Sequence, residues 1–224
     1  MSTISVVIPV LNEELRLGGM LANVLPQLPE EVLVVDGGSR DATVAIATAT
    51  VGVRLLRADK GRARQMNAGA AAARGDWLLF LHADTLLPPQ ALARIAALPA
   101  SVLAGAFRHR FSSDDWRLRL ISRLDNYRTR LTRIAFGDQA MFVRRELFER
   151  LGGFPPCEVM EDVAFGERLR HATAPILLAD EAITDSRKFE QMGIWSSLAR
   201  VAVLLVCHRL RLPLVGRRFF SEVR

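Results

Sequence analysis

Four short strand candidates, rich in apolar residues and separated by segments of helix length, constrain the fold of this chain more than any other feature. They fall within the first hundred residues, at 4–10, 31–35, 53–57 and 77–81. Helical segments are predicted between them, at 12–25, 42–50 and 62–73. Strands that alternate with helices in this way call for βαβ units with right-handed crossovers and a mostly parallel sheet. The sequence therefore predicts an α/β fold in which helices flank a central sheet.

The second half of the chain has a different character. Strands are predicted at 102–111 and 139–143, and helices at 114–134, 146–151, 162–171 and 194–206. No internal repeat and no long linker divides the 224 residues, so we expect a single domain with a C-terminal helical extension.

Composition and charge exclude several classes of protein. Half of the residues are hydrophobic, which excludes a disordered chain. The net charge of +6 comes almost entirely from arginine and is spread along the chain, without the aromatic-interleaved basic run that nucleic-acid binding favours. The distant Cys157 and Cys207 favour a reducing compartment, and no apolar stretch reaches the roughly 20 residues that span a bilayer. We expect a cytoplasmic protein without nucleic-acid partners, either soluble or attached peripherally to the inner face of the membrane.

The fourth apolar run ends abruptly in His82-Ala83-Asp84. The carboxyl end of a buried parallel strand is where α/β folds place ligands. Asp84 there would hold a divalent cation that takes its other ligands from a diphosphate and water. A turn or capping role for Asp84 explains the same residue, and His82 is a metal ligand, a stacking partner or a structural histidine.

Two further turns carry groups suited to a nucleotide. Asp36 ends the second strand candidate before Gly37-Gly38-Ser39, where a ribose or base would bind. A tight turn with Ser39 or Asp41 as the helix N-cap is the alternative and needs no ligand. Lys60, Arg62 and Arg64 place three cations at a helix start, where they oppose the helix dipole. Free N–H groups and guanidinium groups converge there as in an anion site, and a solvated basic turn is the alternative.

Three acids, Glu158, Glu161 and Asp162, fall within five residues at another helix start. Acids are favourable in a first turn, which explains the cluster without a function. Clustered carboxylates also raise one another's pKa, which suits a general base.

Two amphipathic segments are candidate membrane surfaces. Residues 116–133 combine apolar and arginine residues, and residues 194–206 are strongly apolar. A solvated face or core packing explains either segment without a membrane.

The order of these motifs is more specific than any one of them. Segments 5–14, 35–39, 63–69, 82–84, 137–143 and 160–162 follow one another as in family 2 glycosyltransferases. The chain resembles that family over about residues 4–190, and most resembles its compact bacterial branch, often linked to arsenosugar biosynthesis. The resemblance implies a GT-A fold, a UDP- or GDP-sugar donor, a Mg²⁺ or Mn²⁺ ion, and hexosyltransferase-type transfer with inversion to an unidentified acceptor hydroxyl.

The resemblance also implies roles for individual residues. Asp84 falls on the metal position with His82 as a further candidate, and Asp162 falls on the catalytic base with Glu161 beside it. The acceptor-side loop is implied at Gly137, Asp138 and Gln139. The donor positions are implied at Pro9, Leu11, Glu13, Asp36, Lys60 and Arg64, with Arg187 and Lys188 near the diphosphate. Residues 1–100 then form the nucleotide-binding half, 101–190 the acceptor and catalytic half, and 191–224 a helical tail that is the candidate membrane contact.

Two departures from the family pattern bear on these roles. Asp36-Gly37-Gly38-Ser39 lacks the second acid of the usual Asp-Asp-Gly-Ser, which leaves the base of the donor open. His82 replaces the first acid of the usual Asp-x-Asp motif, which leaves Asp84, the diphosphate and water as ligands.

Two other functions compete with glycosyl transfer. A sugar-1-phosphate nucleotidyltransferase would carry a glycine-rich basic loop after the first strand, whereas residues 11–14 are acidic. A non-catalytic membrane-associated binding module would use the basic helix and the apolar tail, and would not need metal-dependent nucleotide binding.

Overall fold

The computed structural model describes residues 2–157 and 159–210, whose strands form one eight-stranded sheet. The strands are β1 (Ile4–Val10), β2 (Glu31–Asp36), β3 (Val53–Arg57), β4 (Trp77–Phe80), β5 (Thr85–Leu86), β6 (Ala104–Phe111), β7 (Phe142–Arg144) and β8 (Ile176–Thr184). Their order across the sheet is β3-β2-β1-β4-β7-β6-β8-β5. The first four strands are parallel, as are β6 and β8, whereas β7 and β5 run antiparallel to their neighbours. The predicted α/β fold with a mostly parallel sheet is confirmed.

Helices cover the sheet and follow its strands. They are α1 (Glu14–Val24), α2 (Thr43–Ala49), α3 (Arg62–Ala72), α4 (Ala91–Ala96), α5 (Trp116–Thr132), α6 (Arg145–Arg150), α7 (Glu161–Ala172), α8 (Arg187–Gln191) and α9 (Ile194–Leu210), with 3-10 turns at Leu25–Gln27 and Gly137–Gln139. The strand predicted at 139–143 begins only at Phe142, because the preceding residues form the second 3-10 turn. Residues 211–224 of the predicted tail lie outside the described residues. No helix in the described part is long and apolar enough to cross a membrane.

The core lies on both faces of the sheet, which explains why its first strands read as unbroken apolar runs. All seven residues of β1 are buried. Val6 and Ile8 face one hydrophobic cluster with α1, and Val7 faces a second cluster with α3 and α7. Strands buried on both faces need apolar side chains at every position rather than at alternate ones.

Polar contacts fix the carboxyl edge of the sheet. The buried side chain of Gln65 on α3 donates from Nε2 to the carbonyl oxygens of Val10 and Val35, at 2.8 Å each, and so holds the ends of β1 and β2 together. On the other side, β5 pairs with β8, and the backbone N–H of Asp185 donates to the carbonyl oxygen of Asp84 at 2.9 Å. These contacts bring loops from both halves of the chain to one edge.

Candidate active site

A cleft at the carboxyl edge of the sheet consists of two adjoining cavities. The first, of about 200 Å³, is lined in part by Pro9, Leu11 and Glu13 after β1. The second, of about 260 Å³, lies between the Gly137–Gln139 turn, α7, α8 and α9. The residues that line both cavities are Arg62, His82, Asp84, Val159 and Lys188. The cleft is therefore one site with two compartments that meet at Asp84.

Asp84 lies at this junction with a cation opposite it. Its Oδ2 is 3.6 Å from Nζ of Lys188, which the chain delivers from α8. The neighbouring Thr85 hydroxyl is 3.1 Å from the hydroxyl of Thr184 at the end of β8. The β5–β8 pairing thus positions a carboxylate from the first half of the chain against a lysine from the second.

Asp162 borders the second cavity from the first turn of α7. Its Oδ2 accepts a hydrogen bond of 2.6 Å from the backbone N–H of Gly137, and its Oδ1 accepts one of 2.8 Å from the N–H of Val163. Its residue surface is only 9% exposed. Two backbone donors therefore fix the orientation of a carboxylate that borders the cavity.

Glu161, next to Asp162, faces a different partner. It is 1% exposed, lines neither of the two cavities, and its Oε1 lies 2.6 Å from Nε of Arg62. Burial alone would lower the pKa of Arg62, but the charges of Glu161, Asp162 and Asp84 raise it, so the guanidinium stays charged. Glu161 is thus an anchor for Arg62, whereas Asp162 is the acid that borders the cleft.

His82 packs against the backbone of Gly137. A Cβ atom added to Gly137 would lie 2.5 Å from Nε2 of His82 and 3.3 Å from Oδ2 of Asp162, so a larger residue would displace the imidazole. Burial, reinforced by the charge of Arg62, lowers the pKa of His82 to about 4. The imidazole is therefore neutral at pH 7 and keeps a lone pair.

Asp138 lines the second cavity beside a buried histidine that sequence reasoning missed. Oδ2 of Asp138 lies 3.6 Å from Nε2 of His109 on β6. Burial, and then the charges of Asp162 and Asp84, raise the pKa of Asp138 to about 7. Burial lowers the pKa of His109 to about 4. The sequence feature that could have identified His109 is its position between two arginines in an otherwise apolar strand.

Gln139 does not reach the cleft, although the acceptor-side loop was predicted to include it. It is fully buried, and its Oε1 accepts hydrogen bonds from the hydroxyl of Thr129 at 2.9 Å and the N–H of Phe136 at 3.0 Å. Gln139 therefore ties the loop to α5, while Gly137 and Asp138 line the second cavity.

Four predicted donor residues line neither cavity. Lys60 and Arg64 are exposed, because residues two positions from Arg62 point to other sides of the α3 start. Arg187 lines neither cavity and donates from Nε to Oδ2 of Asp185 at 2.8 Å. Asp36 is buried and caps its own turn.

The Asp36 carboxylate accepts hydrogen bonds from the N–H groups of Gly38 and Ser39, at 3.0 Å each. Oδ1 of Asp41 accepts a hydrogen bond of 3.0 Å from the N–H of Thr43 at the start of α2, as in the capped turn that is the alternative to a nucleotide site. The structure brings Arg62 to the cleft instead, together with Lys188.

The residues at the junction fit a divalent cation only if it is shared with a substrate. Within residues 2–157 and 159–210, no three His, Cys, Asp or Glu side chains form a cluster that would hold a metal alone. Asp84 offers a carboxylate and His82 a neutral imidazole at the same junction. Magnesium-type ions commonly bind one or two carboxylates and complete their shell with phosphate oxygens and water, which this set allows.

Comparisons with known proteins identify the family of this chain. Residues 5–152 match the family described as Glycosyl transferase family 2. The chain is 36% identical over 138 residues to the undecaprenyl-phosphate 4-deoxy-4-formamido-L-arabinose transferase of Aeromonas hydrophila subsp. hydrophila, which covers 55% of this chain and 42% of that protein. It is 34% identical over 168 residues to the PGL/p-HBAD biosynthesis glycosyltransferase of Mycobacterium bovis, and the aligned region covers 67% of this chain and 62% of that protein. The matched region thus spans about two fifths to three fifths of the length of these relatives.

A solved structure supports the same assignment at the level of the fold. The glucosyl-3-phosphoglycerate synthase of Mycobacterium tuberculosis, solved with Mn²⁺, UDP and glucosyl-3-phosphoglycerate, matches with a TM-score of 0.65 at 20% identity. The match covers 96% of this chain and 82% of that one, and confirms the predicted GT-A fold. Because the family match extends over more than half of its residues, the chain belongs to glycosyl transferase family 2.

Proposed function

We propose that this protein transfers a sugar from a nucleoside-diphosphate donor to an acceptor hydroxyl with inversion at the anomeric carbon, and that Asp162 is the base. One observation carries the proposal: the two cavities meet at Arg62, Asp84 and Lys188, and Asp162 borders only the second of them. A donor in the first cavity would present its diphosphate to these groups, and an acceptor in the second would meet Asp162.

The residues that line the first cavity support the binding of the donor there. Pro9, Leu11 and Glu13 would contact the nucleoside, and the cations of Arg62 and Lys188 would contact the diphosphate. A bound Mg²⁺ or Mn²⁺ would neutralise charge on the diphosphate, with Asp84 as its ligand and His82 as the candidate second ligand. The Mn²⁺ and UDP bound by the Mycobacterium tuberculosis enzyme support this ion and donor class.

Transfer follows from the position of Asp162. Its carboxylate would take the proton of the acceptor hydroxyl as that oxygen attacks the anomeric carbon from the face opposite the diphosphate. The bond between the anomeric carbon and the diphosphate oxygen breaks in the same step, and Arg62 and Lys188 stabilise the charge on the departing nucleoside diphosphate. The N–H groups of Gly137 and Val163 keep the carboxylate in one orientation.

A thermal-shift screen with UDP, GDP and their sugars, each with and without Mn²⁺ or Mg²⁺, tests this function. A ligand at about a hundred times its Kd stabilises the folded state by about 2.7 kcal/mol, which for a chain of this size raises Tm by about 5–10 °C. We expect one nucleoside diphosphate to give such a shift only with metal. The absence of a metal-dependent shift with every donor would contradict the proposal, and pyrophosphate release from a nucleoside triphosphate and a sugar 1-phosphate would support a nucleotidyltransferase instead.

A further inference from the structure

Helix α5 carries a row of exposed apolar side chains that the proposed function does not use. These residues, called the α5 stripe here, are Trp116, Leu120, Leu124, Tyr127 and Leu131, and they are 62%, 41%, 57%, 61% and 67% exposed. Their spacing of three or four residues aligns them on one face, within an arc of about 80°. The stripe is therefore continuous along the whole helix.

The stripe points away from the body of the protein. Leu118, Ser122 and Thr129 are the buried residues of α5 and lie on the opposite side of the helix. Leu118 packs with Phe111, which lines the second cavity. The stripe is thus separated from that cavity by roughly one helix diameter, about 10 Å.

One flank of the stripe is a row of exposed arginines. Arg119, Arg123 and Arg130 fall within about 40° of one another on the helix and border Trp116. No described carboxylate oxygen lies within 4.0 Å of these three side chains, whereas on the other flank Arg117 is 2.6 Å from Asp115. The exposed flank is therefore positively charged and free to meet an anionic surface.

We propose that the α5 stripe and its arginine flank dock on an anionic phospholipid bilayer. The apolar side chains would enter the acyl boundary, where Trp116 and Tyr127 suit the interface, and the three arginines would contact phosphate headgroups. A second copy of this chain is a poorer occupant, because antiparallel pairing of the two stripes would bring two arginine rows of the same sign together. The surface lies on the first of the two amphipathic segments that the sequence offers rather than on the C-terminal helix, and its binding requires neither nucleotide nor metal.

The predicted membrane contact on the C-terminal helix has its own exposed apolar side chains. They are Trp195, Val203, Val206 and Leu210 on α9. Among the described residues of α9, Arg209 is the one exposed arginine, and Arg200 is half-buried and lines the second cavity, so no row of three arginines on this helix borders them. Charge complementarity with an anionic bilayer therefore favours the α5 stripe over the surface of α9.

Vesicle co-sedimentation of the full chain tests the docking surface. The vesicles are phosphatidylcholine alone, or phosphatidylcholine with phosphatidylglycerol. We expect binding only to the anionic vesicles, and weaker binding at high salt. The variant Arg119→Gln with Arg123→Gln and Arg130→Gln should bind about a hundredfold more weakly, at roughly fivefold per arginine.

A second variant separates apolar insertion from charge. Leu120→Ser with Leu124→Ser keeps every arginine and should lose vesicle binding. Leu15→Ser with Val51→Ser is the matched control, because these side chains are also highly exposed but lie outside α5, and it should bind as the wild type does. Wild-type binding by the α5 variant, or equal binding of wild type to neutral vesicles, overturns the proposal. Concentration-dependent dimerisation that the α5 variant abolishes, without vesicle binding, overturns it in favour of self-association.

Discussion

Replacing Gly137 by alanine tests the packing at the centre of the site. Gly137 has an ordinary backbone conformation, so alanine is allowed there by the chain itself. Its added Cβ would lie 2.5 Å from Nε2 of His82 and 3.3 Å from Oδ2 of Asp162. Since ordinary contacts between such atoms are about 3.5 Å or more, the imidazole or the loop must move by about 1 Å.

Both stability and turnover follow from that displacement. Overpacking of this kind costs about 1–3 kcal/mol, which for a chain of this size lowers Tm by about 2–12 °C. A displacement of about 1 Å near reacting groups costs about a hundredfold in rate, equivalent to roughly 2.7 kcal/mol of barrier. We therefore expect Gly137→Ala to remain folded but to release nucleoside diphosphate about a hundredfold more slowly.

The assay is a thermal melt and a nucleoside-diphosphate release measurement on the same preparation. Gly18→Ala is the matched control, because Gly18 is an exposed residue inside α1 whose added Cβ would meet no atom within 4 Å. That control should gain about 0.5–1 kcal/mol in stability and keep its turnover. Wild-type turnover by Gly137→Ala would refute the packing of His82, Gly137 and Asp162 as a unit.

Three further changes probe separate parts of the account. Asp84→Asn should remove the metal-dependent part of the Tm shift with a nucleoside diphosphate, and a retained metal dependence would reject Asp84 as the ligand. Asp138→Asn should gain Tm relative to the wild type as pH rises from about 4 to about 7. In this range folded Asp138 keeps a proton that the unfolded chain has lost, so the wild type loses stability with rising pH and the variant does not. Thermal melts that show the same Tm difference at every pH would contradict this. Gln65→Leu removes two hydrogen bonds to the ends of β1 and β2 and should lower the free energy of unfolding, measured in urea, by about 1–3 kcal/mol. An unchanged free energy of unfolding would show that these two hydrogen bonds do not stabilise the edge of the sheet.

The first half of the fold could be predicted from the sequence largely because β1, β2 and β4 are buried on both faces. β1 and the helix at Arg62 begin where the apolar pattern begins. β8 was missed because Asp180 and Glu181 interrupt its apolar pattern near the sheet edge, and α8 because its five residues are too short for periodicity. The pairing of β5 with β8, which positions Asp84, is a long-range contact that no local pattern records.

The sequence predicted the types of residue at the candidate site better than it predicted which side chains point into the cleft. The motif around His82 and the acid Asp162 do meet at the cleft, whereas Glu161 contacts it only through Arg62. The basic turn was identified, but the residue that faces the cleft is Arg62 rather than Lys60 or Arg64, which depends on the exact phase of the helix start. The neighbouring acids Glu161 and Asp162 also contact different partners, Arg62 and the N–H of Gly137, and the sequence alone does not show which of the two acids borders the cleft.

The most direct test of the central claim is the comparison of donor binding and transfer in Asp162→Asn. The amide keeps the size of the carboxylate but cannot take the acceptor's proton, so we predict a loss of about 10²–10⁴ in turnover. Metal-dependent binding of the nucleotide sugar should remain within about twofold of the wild type, since Asp162 does not line the donor cavity. Asp114→Asn, an exposed acid before α5, is the control and should change neither. Turnover by Asp162→Asn near the wild-type rate would contradict the assignment of the base.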